Sequence, residues 1–172
     1  FVFGLMLLIG PNWRLVKAVT AFTAAHSITL GLAALGYIRF PSAAIEALVA
    51  LSILFVAMEL LPSRRNDATL AHRRPWMIAF LFGLLHGMAF AGVLSEIGLP
   101  PGAAPQALLL FNVGVELGQL AFIGLALAGL RGLAFGWRRL NLAGPAWAAA
   151  TPAYVIGGLS AYWLIERTIA AV

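Results

Sequence analysis

Two histidines and one glutamate lie in apolar stretches of this chain, and they are the residues best suited to carry chemistry. His26 lies within residues 18–38 and His86 within residues 75–95, and neither stretch contains Asp, Glu, Lys or Arg. Glu116 directly follows another such stretch. An ionisable group at the middle of a bilayer costs about 2.5–3.5 kcal/mol, so each needs a reason to be there. Imidazole and carboxylate ligands without thiolate suit Ni, Co, Zn, Fe or Cu(II), so the three residues predict a metal-cation site.

Polar side chains accompany these residues on their own helix faces. At about 100° per residue, Thr23 shares an arc with His26, while Asn112 and Gln119 lie within about 60° of Glu116. Amide oxygens from Asn112 and Gln119 would complete a set of metal ligands. The alternative interpretation is that all these groups only hydrogen-bond one another and hold the helices together.

Two pairs of glycines repeat at a four-residue spacing. Gly83 and Gly87 flank His86, whereas Gly114 and Gly118 lie opposite the polar face of their own helix. Such pairs let a neighbouring backbone come close inside a membrane. We therefore expect the second pair to pack against a helix while the opposite face presents ligands.

The elements that position these residues are membrane-spanning helices. Of the 172 residues, 62% are hydrophobic and 10% charged, and the mean hydropathy is +0.96. This composition excludes a soluble globular enzyme, a disordered tail and a nucleic-acid-binding protein of the usual kind. The apolar runs and prolines predict an all-α, polytopic transmembrane bundle that forms a single domain over residues 1–172. Its six helices, the first one partial, are expected at about 1–10, 15–38, 42–61, 76–97, 105–130 and 146–170.

The helix bounds bring the three ionisable residues to one depth. His26 and His86 are each about 10–11 residues from the end of their predicted helix on one side of the membrane. Glu116 is about 11 residues from the end of its helix on the other side. At 1.5 Å per residue, all three lie roughly 15–17 Å deep, close to the midplane. We therefore expect His26, His86 and Glu116 to converge on one ion, with Asn112 and Gln119 assisting.

The basic residues predict the orientation of the chain. Most of them fall in the loops after the first, third and fifth predicted helices, which share one side of the membrane. The positive-inside rule places these basic loops in the cytoplasm and both termini outside. The residues concerned are Arg14, Lys17, Arg64, Arg65, Arg73, Arg74, Arg131, Arg138 and Arg139, leaving Arg39 and Arg167 on the other side.

The third predicted helix carries one carboxylate near each end. Glu46 lies near its outer start, where the helix dipole favours a negative charge. Glu59 lies near the cytoplasmic end and is expected to pair with Arg64 or Arg65. A second hypothesis makes Glu46 and Glu59 the points at which a cation enters and leaves. His72, in the following loop, is expected to be solvated.

The sequence also contains a faint internal repeat. A shift of 60 residues maps Phe22 onto Phe82, His26 onto His86, Ser52 onto Asn112 and Glu59 onto Gln119. The second and fourth helices run in one direction, as do the third and fifth. A duplication of this kind would place a ligand site between the two halves.

Several motifs together resemble the HupE/UreJ family of bacterial membrane proteins. The resemblance covers most of the chain and is weaker in the last helix. Relatives usually carry a histidine-bearing stretch ending in Asp-His just before the first helix, whereas the sequence here opens at Phe1. A high-affinity capture site is expected only if such a stretch was cleaved from the chain or lies upstream of Phe1. The motifs are FTAAHSITL (Phe22–Leu30), IEALVALSILFVAMEL (Ile45–Leu60), LFGLLHGMAFAGVL (Leu81–Leu94) and LLFNVGVELGQL (Leu109–Leu120).

This resemblance implies a permease for nickel or a related divalent cation in the bacterial inner membrane, with periplasmic termini. The sequence contains no nucleophile elbow, phosphate-binding loop or catalytic dyad, so we expect no enzyme activity, and we expect no resident cofactor and no nucleic-acid partner. The expected partners are the lipid bilayer and the divalent cation. The family's intramembrane polar positions would be His26, His86, Glu116 and Asn112, with Glu46 and Glu59 as its third-helix carboxylates.

Two other functions stay open at this point. His26 and His86, at equal depth on two helices, could be the axial ligands of a b-type haem, with Gly83 and Gly87 making room for the macrocycle. The chain could also be a non-catalytic subunit of a larger membrane complex or a homo-oligomer, in which the polar residues only lock helices together.

Overall fold

The computed structural model describes residues 1–61, 69–97, 102–139, 147 and 150–171, except for the side chains of residues 91–97. Within these ranges the chain forms helices and no strand, which confirms the predicted all-α class. The predicted helices correspond to all the elements except the short α4. The helices are α1 (Val2–Ile9), α2 (Trp13–Ala34), α3 (Ser42–Glu59), α4 (Leu70–Arg73), α5 (Pro75–Ile97), α6 (Ala104–Arg139) and α7 (Thr151–Ala170).

Helix α2 has a defined cap at each end. At its start the side chain of Asn12 accepts a hydrogen bond from the backbone N–H of Arg14 at 2.8 Å. At its end Gly36 has φ +80°, and the backbone N–H of Tyr37 donates to the carbonyl of Leu32. This Schellman arrangement ends the helix at Ala34, four residues before the predicted end, because glycine adopts the left-handed conformation at no steric cost.

Helix α6 is longer than predicted, since it continues to Arg139 rather than ending near residue 130. Its 36 residues span about 54 Å, well beyond the hydrocarbon thickness of about 30 Å. The prediction that Arg131, Arg138 and Arg139 lie in a loop was therefore wrong, because all three lie in the last turns of α6. No proline interrupts this stretch, so the helix has no reason to stop where the charges begin. The same prediction was wrong for Arg14 and Lys17, which lie in the first turns of α2.

Helices α2 and α5 form the most extensive interhelical contact among the described residues. Gly83 lies against Phe22, and Gly87 lies against His26 and Thr29, so the two helices run parallel. A Cβ atom at either glycine would overlap the backbone oxygen of Phe22 or His26. The first glycine pair thus brings two backbones into contact, as predicted.

The apolar core lies where α1 meets α2 and α6. Leu5 and Met6 of α1 are almost fully buried, together with Val19 and Phe22 of α2 and Ile123 of α6. Helix α1 therefore packs as part of the bundle. On the other side of the molecule α3 packs mainly against α7.

Much of the outer surface is apolar. Helices α2, α3 and α6 are long and apolar enough to cross a membrane, and α5 is apolar over Pro75–Phe90. Leu109, Leu117 and Leu125 of α6 are largely exposed, as are many other large apolar side chains. A surface of this kind is stable in lipid and not in water, so the chain is a helical membrane protein. The number of spans and their direction stay predictions.

Candidate functional site

His26 is held by an amide on a neighbouring helix. It is 2% exposed, and its Nδ1 lies 3.2 Å from Oδ1 of Asn112 on α6. The amide nitrogen of Asn112 donates to the carbonyl of Leu108 at 2.8 Å, which turns its oxygen towards the histidine. Because that oxygen can only accept, the hydrogen bond assigns a proton to Nδ1 and leaves a lone pair on Nε2.

His86 is held in a similar way by a hydroxyl group. Its Nε2 lies 3.0 Å from Oγ of Ser52 on α3. The hydroxyl of Ser52 donates to the carbonyl of Val49 at 2.6 Å, so its oxygen is left to accept from the histidine. This arrangement assigns the proton to Nε2 of His86 and leaves the lone pair on Nδ1.

The two histidines line one cavity of about 360 Å³ between α1, α2, α5 and α6. The ring of Phe22 contacts both imidazoles, at centroid distances of 6.0 Å to His26 and 5.2 Å to His86. Gln119 of α6 lines the same cavity, and Thr23 Oγ1 lies 3.2 Å from its Oε1. The remaining lining residues are apolar: Phe1, Val2, Phe3, Phe90, Val115 and Phe122.

The second ring nitrogen of each histidine has no hydrogen bond to any described residue, and both histidines line this cavity. No hydrogen-bond partner for Nε2 of His26 or Nδ1 of His86 exists within the described ranges. Every completely buried side-chain nitrogen or oxygen in the described residues has a hydrogen-bond partner. Since these two ring nitrogens have none, each of them keeps some accessible surface. Two neutral imidazoles whose outer nitrogens are fixed by hydrogen bonds are the usual arrangement of metal-binding histidines.

Glu116 lies apart from the two histidines. Its Oε1 accepts a hydrogen bond of 2.7 Å from Thr20 on the partly exposed side of α2, and it does not line the cavity. In the part of the chain that the structure describes, no three His, Asp or Glu side chains are grouped closely enough to hold one metal ion. The structure thus brings together His26, His86, Asn112 and Gln119, and it leaves Glu116 beside them on α6.

The hydrogen bonds of the two histidines follow the internal repeat. His26 bonds to Asn112, and His86 bonds to Ser52. A shift of 60 residues maps His26 onto His86 and Ser52 onto Asn112, so each histidine uses the equivalent residue of the other half. The cavity therefore lies at the interface between the two halves of the repeat.

The two carboxylates of α3 have different partners. Glu46 pairs with Arg167 of α7, with 3.1 Å between Oε2 and Nη1. Glu59 accepts a hydrogen bond of 2.6 Å from Thr69 and lies 3.4 Å from Nδ1 of His72. The expectation that His72 is solvated was therefore wrong. Arg64 and Arg65, the predicted partners of Glu59, lie outside the described residues.

The glycines beside His86 leave no room for a macrocycle. The space next to Gly83 and Gly87 is filled by the backbone of α2 at Phe22 and His26. Gly83 and Gly87 therefore do not open a haem pocket beside His86. The second glycine pair, Gly114 and Gly118, has no atom within 4 Å of its ideal Cβ positions among the described residues, so none of these residues provides the expected packing there.

Four polar residues that contact the predicted site residues were not assigned a role from the sequence. Thr20 extends the three-residue spacing of Thr23 and His26, and that spacing is a usable signal. Ser52 was marked only by its place in the internal repeat. Thr69 and His72 carry no comparable signal, because their contact with Glu59 depends on where the chain returns after α3.

Comparison of the chain with curated proteins and with solved structures gave no match. A family model described as "HupE / UreJ protein" matches residues 1–167. The match spans every helix from α1 to α6 and nearly all of α7. A helical membrane chain with two parallel, histidine-bearing helices and a match of this extent belongs to the HupE/UreJ family.

Proposed function

We propose that this protein is a membrane permease for a divalent transition-metal cation, nickel or a similar ion, and not an enzyme. The observation that carries the proposal is the single cavity lined by His26 and His86, each with one lone pair free. Family membership supports the same conclusion, since the family is linked to nickel and cobalt transport. The proposed location is the bacterial inner membrane, with the basic loops cytoplasmic and both termini periplasmic.

The proposed ligands are Nε2 of His26, Nδ1 of His86 and the amide oxygen of Gln119. Asn112 orients His26 through its hydrogen bond and lies one turn of α6 from Glu116. Because imidazole and amide ligands are neutral, they do not offset the charge of a bound divalent ion. An unbalanced charge of this kind is costly in a medium of low dielectric constant. Glu116, the carboxylate of α6, lies three residues before Gln119, and we assign it the role of offsetting that charge.

The small number of protein ligands suits a carrier. A resident metal is held by three or four side chains, whereas a transported ion must leave again. Two imidazoles and one amide leave the remaining coordination positions to water. The aromatic walls of the cavity contribute no competing ligands, so the ion is exchanged between these few donors and water.

Uptake of radioactive nickel into proteoliposomes tests the proposal. We expect His86→Ala to lower the initial rate at sub-saturating nickel by about 10- to 100-fold, the loss typical of a weakened metal site. The same change in His26 should have an effect of similar size.

The matched control is Ser160→Ala, which removes a buried hydroxyl of α7 that bonds only within its own helix. Its uptake should equal that of the wild type. Unchanged uptake and unchanged nickel binding in both histidine variants would contradict the proposal.

A further inference from the structure

A compact group of three polar side chains lies at the end of α3. Glu59, its last residue, is 4% exposed and accepts a hydrogen bond from Oγ1 of Thr69 at 2.6 Å. The same hydroxyl oxygen lies 2.8 Å from Nδ1 of His72, and that nitrogen lies 3.4 Å from Oε2 of Glu59. One carboxylate, one hydroxyl and one imidazole therefore have their donor atoms within 3.4 Å of one another.

The position of Glu59 favours a cation beside it. The last carbonyl groups of a helix carry partial negative charge, so a carboxylate at the C-terminus is repelled rather than stabilised. Glu46 has the permanent charge of Arg167 as its partner, but His72 is a cation only when protonated. A buried carboxylate of this kind is stabilised when a positive ion joins it.

The separation of the two strong ligands matches that of a bound metal. Two metal–ligand bonds of about 2.1 Å that meet at the tetrahedral angle place their donor atoms about 3.4 Å apart. The observed distance between Oε2 of Glu59 and Nδ1 of His72 is 3.4 Å. Thr69 offers its hydroxyl oxygen as a weaker third ligand.

The backbone on the loop side of this group is anchored. Nη2 of Arg14, near the start of α2, donates to the carbonyl oxygens of His72 and Arg73, at 2.5 and 3.2 Å. These hydrogen bonds fix α4 against α2, and they therefore hold His72 opposite the end of α3. The three side chains are positioned before any ion arrives. Because the hydroxyl of Thr69 donates to Glu59, it accepts from Nδ1 of His72, so an ion binds Nδ1 once that proton has moved to Nε2 in the other neutral tautomer of the ring.

The group also lies in line with the histidine cavity. Ser52, which bonds to His86, precedes Glu59 by seven residues on α3. Seven residues are about two turns, so the two side chains lie on one face, separated by about 10 Å along the axis. The buried side chain of Val56 lies between them on that face.

We propose that Glu59, His72 and Thr69 form a second binding site for a divalent transition-metal cation, nearer the basic end of the bundle than the histidine cavity. In transport the ion occupies this site between the cavity and the water on that side. That role rests on the proposed function, whereas the binding itself does not.

Cobalt binding to the detergent-purified full chain tests the second site. Equilibrium dialysis gives the stoichiometry, and the visible absorption of Co²⁺ reports its ligands. We expect about two ions for the wild type, and about one for Glu59→Gln and for His72→Ala. Glu166→Gln, which alters an exposed carboxylate of α7, is the matched control and should still bind about two.

The His26→Ala/His86→Ala double variant separates the two proposals. It should keep about one ion, and adding His72→Ala should remove it. If Glu59→Gln and His72→Ala both bind as much cobalt as the wild type, the second site is overturned while the cavity proposal stands. If only the histidine double variant binds as much as the wild type, the cavity proposal fails and the second site stands. Binding of no cobalt by the wild type overturns both.

The cobalt stoichiometry can be interpreted even if one of the variants fails to fold. His72 is partly exposed at its side chain, so His72→Ala is expected to fold, and size-exclusion chromatography checks each variant. If Glu59→Gln does not fold, the stoichiometry of His72→Ala alone decides the outcome.

Discussion

Two glycine pairs with the same spacing have opposite surroundings in this protein. Gly83 and Gly87 of α5 lie directly against the backbone of α2, whereas Gly114 and Gly118 of α6 contact no other described residue at their ideal Cβ positions. The sequence pattern is identical in the two helices. The comparison shows that small residues permit close packing, while the neighbouring helix decides whether it occurs.

Adding a methyl group at the close contact should have the largest effect on stability. In Gly87→Ala the new Cβ would overlap the carbonyl oxygen of His26 and the hydroxyl of Thr29. Since a backbone cannot give way as a flexible side chain can, we expect a loss of about 3 kcal/mol in the free energy of unfolding. Equilibrium unfolding of the detergent-solubilised protein measures it.

The same substitution on α6 is the control for this comparison. Gly118→Ala meets no described atom, so the higher helix propensity of alanine should leave stability unchanged or raise it by up to about 1 kcal/mol. A loss in Gly118→Ala equal to that in Gly87→Ala would mean that both pairs are packed, and the contrast between α5 and α6 would disappear.

The hydrogen bond between Asn112 of α6 and the buried His26 should give the second-largest effect. Asn112→Leu removes the oxygen that accepts from Nδ1 of His26 and leaves this buried donor unpaired. We expect a cost of about 2 kcal/mol in unfolding free energy and about a tenfold weaker affinity for Co²⁺.

Thr20→Val is the control for Asn112→Leu, because it breaks the bond to Glu116 at a partly exposed position. It should cost clearly less stability and weaken cobalt affinity less than Asn112→Leu does, because it leaves the bond that orients His26 in place. Equal affinities in wild type and Asn112→Leu would show that orientation of His26 does not matter for binding.

A hydrogen bond between α2 and α5 should give the smallest of the three effects. The hydroxyl of Thr29 donates to the carbonyl of Leu84 at 2.7 Å. Thr29→Val keeps the shape and removes this bond, so we expect a loss of about 1 kcal/mol. Thr168→Val, at a hydroxyl that bonds only within α7, should change stability by less, and a larger loss there would contradict the assignment.

The helices were largely predictable, and the exceptions have local causes. The start of α3 agrees with prediction at Ser42, because Pro41 precedes it and a largely apolar run follows. The end of α2 was missed because the Schellman turn at Gly36 stops the helix inside an apolar stretch. The end of α6 was missed because arginines mark a membrane boundary and not a helix boundary.

The sequence predicted which residues belong to the candidate site, but not which of them bond to one another. His26 and His86 stand out because ionisable groups are costly inside apolar helices, and the structure places both at one cavity. The expected meeting with Glu116 did not occur, since that side chain bonds to Thr20. Periodicity shows which residues share a helix face but not which neighbour that face meets.

The amino-acid sequence by itself determined that this chain is a bundle of apolar helices and that two of those helices carry His26 and His86. Hydropathy and helix-stopping residues are local properties, so they can be recognised in the sequence before the fold is known. Only the tertiary structure decided that His26 pairs with Asn112, His86 with Ser52 and Glu59 with His72. Those pairings depend on how far each helix is rotated about its axis and on where the chain returns, and close contacts such as those at Gly83 and Gly87 set that rotation.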